Sequence, residues 1–236
     1  MHLSKRLQRV AANVLSNGVV ADIGCDHGFT AIELVQSHKA VGAIAMDIGK
    51  GPLERAKKHV LQYDLSEQIQ LRLSDGAKKL EKHEADTILI SGMGGALICK
   101  ILRESKDVVC TAKEWVLSPQ SEIHLVRKCV HELGFCIAAE EMVFDQGKYY
   151  VIIRAVPGQE EYTDDLEYLY GKRLLEDGKE TFHSYIKKEK KRVEKVIEQM
   201  KLSGLSEEGR KRYQKLEQEK SQLEEVMHRI TTEKQC

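Results

Sequence analysis

The residues best suited to chemistry lie in one short segment, Asp22-Ile23-Gly24-Cys25-Asp26-His27-Gly28, which ends an apolar run. Gly24 lets the backbone turn tightly and approach a ligand. The segment departs from the G-x-G-x-x-G pattern of dinucleotide-binding proteins, because Asp26 stands where a glycine is expected. A carboxylate there repels phosphate and suits a sulfonium cation or an amino group. The segment therefore favours S-adenosylmethionine over NAD.

Three further segments carry acids or glycines directly after apolar runs: Asp47, Asp75-Gly76 and Ser91-Gly92-Met93-Gly94-Gly95. Ligands of open parallel sheets bind beyond the carboxyl ends of the strands. Asp47 is placed to accept both ribose hydroxyls, and Asp75 to accept from an adenine amino group. Each feature alone is often a helix cap or a turn. Together, acid-bearing strand ends at one sheet edge predict a nucleotide-cofactor site.

The elements that must position these residues alternate between strands and helices. Strands are predicted at 19–24, 41–47, 69–75, 85–92, 114–119, 135–145 and 148–156. Alternating strands and helices predict an α/β domain with a mostly parallel sheet. The last two strands are joined only by Gln146-Gly147, which is too short for a parallel crossover. A Rossmann-like, class I methyltransferase sheet with a terminal antiparallel hairpin is therefore expected.

The composition changes at Pro157-Gly158: residues 1–157 hold 39 charged residues, and 158–236 hold 35 in half the length. We therefore predict a cofactor-binding domain at 1–157 and a helical domain at 158–236. Apolar residues recur at helical spacing on both sides of a break at Ser203-Gly204, with Ser206 as a cap. This pattern predicts an antiparallel coiled-coil hairpin.

The segments ADIGCDHGF, MDI, SDG, SGMGGALI and LSKRL resemble the bacterial tRNA (adenine(22)-N(1))-methyltransferase family. The resemblance covers most of 1–157, and the tail matches in kind. It implies S-adenosylmethionine as cofactor, tRNA as substrate, and Asp26 as the catalytic residue, an acidic side chain that acts near the target base. The family often has Glu where this chain has Asp47. The expected cofactor-binding residues are Asp22, Gly24, Asp26, His27, Asp47, Ile48, Asp75, Gly76, Gly92, Met93 and Gly94.

The expected reaction is methyl transfer to N1 of an adenine, adenine 22 by the resemblance. The N/D-P-P-Y/F motif of many exocyclic-amine methyltransferases is absent after the fourth strand. Adenine N1 already has an in-plane lone pair, so placement can supply much of the acceleration. Because N1 lies on the Watson–Crick edge, the base must be unpaired or flipped out. His27 could stack on the base or point to water, and Arg6 is expected to contact phosphate.

The tail carries a cluster of cations that could follow a phosphate backbone or form a solvated coiled-coil face. The cluster comprises Lys187, Lys188, Lys190, Lys191, Arg192 and Lys195, of which Lys187, Lys188, Lys191 and Arg192 are the expected tRNA contacts.

Whole-chain properties set further bounds. Lys+Arg and Asp+Glu both number 37, so any basic surface must be local. No apolar run is long enough for a membrane span, and the N-terminus has no signal-peptide core. The six cysteines show no C-x-x-C spacing, so reduced thiols in the cytoplasm and no metal site are expected. A monomer is expected, although the sequence does not determine the oligomeric state. The alternatives are a small-molecule or protein methyltransferase, a non-enzymatic coiled-coil protein and, last, an NAD dehydrogenase.

Overall fold

A seven-stranded sheet lies at the centre of the computed structural model, which describes residues 3–203 and 206–232. The strands are β1 (Val19–Ile23), β2 (Gly42–Asp47), β3 (Ile69–Leu73), β4 (Thr87–Ser91), β5 (Glu114–Ser118), β6 (Phe135–Asp145) and β7 (Lys148–Pro157). They run in the spatial order β3-β2-β1-β4-β5-β7-β6, with β1 to β5 parallel and β7 antiparallel to both its neighbours. This arrangement confirms the predicted mostly parallel sheet with a terminal antiparallel hairpin.

β1 and β4 are neighbours in the sheet, and the strand order reverses between them. Each of these two strands is followed by a helix. Crevices at such a reversal, beyond the carboxyl ends of the strands, are where open α/β sheets bind ligands. The residues singled out from the sequence follow β1, β2, β3 and β4, so the topology places them at this edge.

Six helices accompany the sheet in the described part of the first 162 residues. The helices are α1 (Lys5–Ala12), α2 (Phe29–Gln36), α3 (Lys50–Gln62), α4 (Gly95–Glu104), α5 (Lys106–Val109) and α6 (Ile123–Glu132). The helix α1 begins after Ser4, whose Oγ accepts a hydrogen bond from the Leu7 amide at 3.3 Å. The one-turn helix α5 was not predicted.

The core lies on both faces of the central strands. β4 and β5 are buried along almost their whole length, as expected for parallel strands covered by helices on both sides. Trp115 is fully buried and stacks on Phe135 with ring centroids 3.7 Å apart. Full burial of each large apolar side chain contributes roughly 1.5–3 kcal/mol, so this core fixes the strand ends that carry the site.

The chain divides into two compact units, Met1–Tyr162 and Thr163–Cys236. Residues 158–162 belong to the first unit: the Gly158 amide donates to the Gly134 carbonyl at 3.0 Å, and Glu160 accepts from the Ile137 amide at 2.8 Å. The sequence places the boundary slightly earlier, after Pro157. The separate roles assigned to 1–157 and 158–236 stay predictions.

The second unit contains two long helices, α8 (Glu180–Ser203) and α9 (Glu207–Thr232). Ion pairs of Lys190 with Glu224 and of Arg192 with Glu219 show that the helices run antiparallel, as predicted. Ser206 caps α9 by accepting from the Gly209 amide at 3.1 Å, whereas Gly204 of the predicted break lies outside the described residues. A π-helical turn, Glu167–Gly171, continues into α7 (Lys172–Asp177) and was not predicted.

No helix in the described ranges combines the length and the apolar character that a membrane crossing requires.

Candidate active site

A cavity of about 570 Å³ opens at the carboxyl ends of β1 to β4. The structure does not place Gly94 in its lining: Gly94 precedes α4, and a Cβ there would face Ser121 Oγ at 3.1 Å. The other expected cofactor residues are all brought together in the lining. They are Asp22, Gly24, Asp26, His27, Asp47, Ile48, Asp75, Gly76, Gly92 and Met93.

The turn after β1 depends on glycine. Gly24 has a φ of +77°, and its amide donates to the Met46 carbonyl at 2.8 Å. A Cβ on Gly24 would overlap the Met93 side chain. Asp26 also has a positive φ, +46°, which Asp tolerates better than most residues. The turn therefore places backbone without a side chain against the cavity at Gly24, and it directs the Asp26 carboxylate to the same cavity.

Asp47, at the end of β2, is held by two backbone amides. Its Oδ1 accepts from Gly49 at 2.8 Å, and its Oδ2 accepts from Asp26 at 3.3 Å. A carboxylate oxygen has two lone pairs, so each oxygen can accept one further hydrogen bond. This is the capacity needed to bind the two vicinal hydroxyls of a ribose.

Asp22 is a buried acid inside the cavity. Burial raises its pKa to about 7; the Ala31 amide opposes this rise, and the negative charge of Asp47 adds to it. Its Oδ2 is buried and has no hydrogen-bond partner among the described residues. A buried carboxylate oxygen without a partner is costly unless a ligand satisfies it, and the electrostatics favour a cationic donor. The cavity therefore fits the ammonium and sulfonium groups of S-adenosylmethionine.

Asp26 lies in a half-exposed wall of polar and aromatic side chains. Its Oδ1 pairs with Arg55 Nη2 at 2.7 Å, and its Oδ2 lies 3.5 Å from His27 Nε2. The His27 ring stacks on Phe29 at 5.3 Å with 8° between the planes. Phe29 in turn stacks on His59, whose Nδ1 lies 2.9 Å from the His27 carbonyl oxygen.

Sequence reasoning missed Phe29, Arg55 and His59. The i,i+4 spacing of Arg55 and His59 on α3 was an available signal, because it puts both on one helix face. That face is directed to the turn after β1.

Asp75, at the end of β3, is exposed and pairs with Lys78, which lowers the pKa of its carboxyl. Gly76 follows with a φ of +59°, and a Cβ there would press on Ile101. Asp75 was expected to accept a hydrogen bond from the cofactor adenine. That role stays a prediction.

The opposite rim is formed by α1 and by the loops after β4 and β5. Arg6 Nη1 donates to Ser91 Oγ at 2.7 Å, and its guanidinium lies 5.2 Å from the Tyr150 ring centroid. Gln120, after β5, also lines the cavity and was missed. Arg6 thus lies at the site, with its guanidinium anchored to Ser91 and near Tyr150, and its contact with phosphate stays a prediction.

The cations of the tail have different surroundings. Arg192 is held by Glu189 at 2.7 Å and Glu219 at 2.6 Å, so its guanidinium is already engaged within the hairpin. Lys187 and Lys191 are exposed and form no ion pair with any residue that the structure describes. The predicted tRNA contacts of Lys187, Lys188, Lys191 and Arg192 stay predictions, with Arg192 less available than its sequence position indicated.

Comparison with known proteins gives the site its context. A family model described as a methyltransferase domain matches residues 3–153. The tRNA (adenine(22)-N(1))-methyltransferase of Bacillus subtilis is 32% identical over 232 residues, which cover 96% of this chain and 98% of that protein. This chain belongs to the tRNA (adenine(22)-N(1))-methyltransferase family.

Solved structures of relatives share the fold. The B. subtilis m1A22 tRNA methyltransferase TrmK aligns with a TM-score of 0.85 at 31% identity, over 96% of this chain and 99% of that one. A Streptococcus pneumoniae relative, crystallised in complex with S-adenosyl-L-methionine, aligns with a TM-score of 0.86 at 30% identity, over 96% and 100% of the two chains. The resemblance read from the sequence is therefore confirmed.

Proposed function

We propose that this protein is a tRNA methyltransferase that transfers a methyl group from S-adenosylmethionine to N1 of adenine 22. The observation that carries the proposal is the cavity at the sheet edge, in which Asp22 offers an unpartnered carboxylate oxygen and Asp47 two oriented ones. The enzyme belongs to a family whose B. subtilis member methylates that nucleotide. We further propose that it acts in the cytoplasm as a monomer.

Each carboxylate has a distinct role towards the cofactor. Asp22 would hold the cationic amino-acid end, because its Oδ2 lies buried in the cavity without a donor. Asp47 would accept the ribose hydroxyls. Ile48 would cover one face of the cofactor adenine, and Asp75 would accept from its amino group. When bound, S-adenosylmethionine supplies an electrophilic methyl group on a sulfonium.

The protein must place adenine N1 in line with the methyl–sulfur bond and stabilise the positive charge that forms on the base. The N1 lone pair forms the new bond to carbon while the carbon–sulfur bond breaks, so no proton must leave N1 beforehand. The base then carries a positive charge. Asp26, fixed by Arg55, can stabilise that charge or accept a hydrogen bond from the adenine amino group. Holding the reactants in line can contribute roughly 7–11 kcal/mol of barrier lowering.

The target base must leave the helical stack to expose N1. The stacked rings of His27 and Phe29 offer a flat surface at the cavity mouth, on which a flipped base could rest. Arg6, on the opposite rim, would contact the phosphate of the same nucleotide. Lys187, Lys188 and Lys191 on α8 would add phosphate contacts to the tRNA.

The test is transfer of radiolabelled methyl from S-adenosylmethionine to unmodified bulk tRNA, compared with bulk protein and with a small-molecule extract. The proposal predicts label in tRNA only. Label confined to protein or small molecules would refute it and favour another methyltransferase on the same fold. Failure to bind S-adenosylmethionine would show that the protein is not a methyltransferase.

A further inference from the structure

Gln120 lies at the rim of the cavity, in a loop that two backbone hydrogen bonds join to its neighbour. The backbone N–H of Gln120 donates to the Met93 carbonyl at 2.9 Å, and the backbone N–H of Gly92 donates to the Ser118 carbonyl at 3.1 Å. These bonds join the loop after β5 to the glycine-rich loop after β4. The backbone of Gln120 is thus fixed, while its side chain is exposed at the cavity.

The side-chain amide of Gln120 is available for a ligand. It forms no hydrogen bond with the residues that the structure describes, whereas the neighbouring Arg6 is anchored to Ser91. A Cβ built on Gly92 would lie 3.8 Å from both Gln120 Nε2 and Arg6 Nη1. The amide and the guanidinium therefore flank the bare backbone of Gly92, across the cavity mouth from the Asp26 wall.

An enzyme that methylates N1 must recognise adenine without forming a hydrogen bond to N1. A glutamine amide meets this condition, because it can donate to adenine N7 and accept from the N6 amino group at once. Guanine offers two acceptors, O6 and N7, along the same edge. Its O6 would face the carbonyl oxygen of the glutamine amide, and two acceptors cannot form a hydrogen bond. The second N6 hydrogen points towards N1, where a carboxylate such as Asp26 can accept it.

We propose that Gln120 determines the specificity for adenine by pairing with the N6–N7 edge of the target base. This inference rests on the proposed function, since it requires an adenine in the cavity. Gln120 contacts the base from one rim and Asp26 from the other, and N1 is left free between them to face the methyl group.

The test pairs an enzyme variant with a substrate variant. Wild type and Gln120→Leu are assayed on a synthetic tRNA that carries either adenosine or 7-deazaadenosine at the target position. The leucine variant should lose about 5- to 150-fold in kcat/KM on the adenosine tRNA, the range of a bidentate base contact. Wild type should lose about 2- to 12-fold on the 7-deaza tRNA, because one neutral hydrogen bond is missing.

The decisive result is the interaction between the two changes. In Gln120→Leu the effect of 7-deaza substitution should shrink to the intrinsic change in N1 reactivity, because no amide remains to bind N7. That intrinsic change is the same for both enzymes, so the ratio of the two effects isolates the contact and should be about 2- to 12-fold. Gln68→Leu, an exposed glutamine outside the cavity lining, should behave as wild type. An equal 7-deaza penalty in wild type and Gln120→Leu overturns the role of Gln120. Absence of 1-methyladenosine with wild type and the adenosine tRNA instead overturns the proposed function.

Discussion

Replacing Asp22 by Asn should remove the pH dependence of S-adenosylmethionine binding below neutral pH. The free protein holds this carboxyl in a buried site, where desolvation raises its pKa to about 7. A cationic ligand group favours the ionised form, so binding must displace the proton at lower pH. The dissociation constant of wild type should therefore rise by up to about tenfold per pH unit below pH 7.

The same shift has a consequence for stability in the absence of ligand. The folded-state pKa of Asp22 lies above the ordinary value of 3.8, so the folded protein binds a proton that the unfolded chain has released. This contribution to the free energy of unfolding is fully present below about pH 4 and is lost as the pH rises through 7. The slope is about 1.4 kcal/mol per pH unit, or about 4 kcal/mol over the interval.

The assay is calorimetric titration of S-adenosylmethionine between about pH 5.5 and 7, a window in which an α-amino group stays protonated. Denaturant unfolding of the ligand-free protein at the same pH values gives the stability profile. Asp22→Asn should flatten the steep part of both profiles, and Asp64→Asn, an exposed aspartate outside the cavity, should leave both unchanged. Identical pH dependence in wild type and Asp22→Asn would refute this reasoning.

Three further predictions follow from the same geometry. Asp47→Asn should weaken S-adenosylmethionine binding by about 10- to 150-fold in calorimetry, because one charge-assisted hydrogen bond of roughly 1.5–3 kcal/mol is lost; an unchanged affinity would exclude the ribose contact. Asp26→Asn should lower kcat in the methyl-transfer assay by at least about tenfold, the loss of about 1.4 kcal/mol of product-charge stabilisation, and should lower cofactor affinity by less than this; full turnover would remove Asp26 from the chemistry. Replacing Lys187, Lys188, Lys191 and Lys195 by Ala should weaken tRNA binding and reduce its salt slope by up to about 3. The matching Arg replacements keep the charge and should preserve binding in the same filter-binding series, whereas equal binding by the Ala variant would rule out this surface.

Much of the cofactor site was predictable because it follows from strand topology. Parallel strands end at one edge, so residues that follow them must meet there, as Asp22, Asp47 and Asp75 do. The spacing of the glycines alone could not decide which of them face the ligand. Gly92 lines the cavity, whereas a Cβ on Gly94 would face Ser121.

The contacts between distant elements could not be read from local patterns. Asp26 and Arg55 are 29 residues apart, and their pairing depends on how α3 packs beside the turn after β1. Gln120 reaches the cavity only because its loop is bonded to Met93. Arg192 belongs to a cationic cluster in the sequence, yet Glu219 from the neighbouring helix engages it.

The most direct test of methyl transfer to adenine 22 is to map the product on a single tRNA. An unmodified transcript with adenine at position 22 is incubated with the enzyme and S-adenosylmethionine, digested, and resolved by mass spectrometry beside a transcript in which that adenine is replaced by guanine. We expect 1-methyladenosine at position 22 of the first transcript and no methylation of the second. Methylation of another nucleoside, or equal methylation of both transcripts, would contradict it.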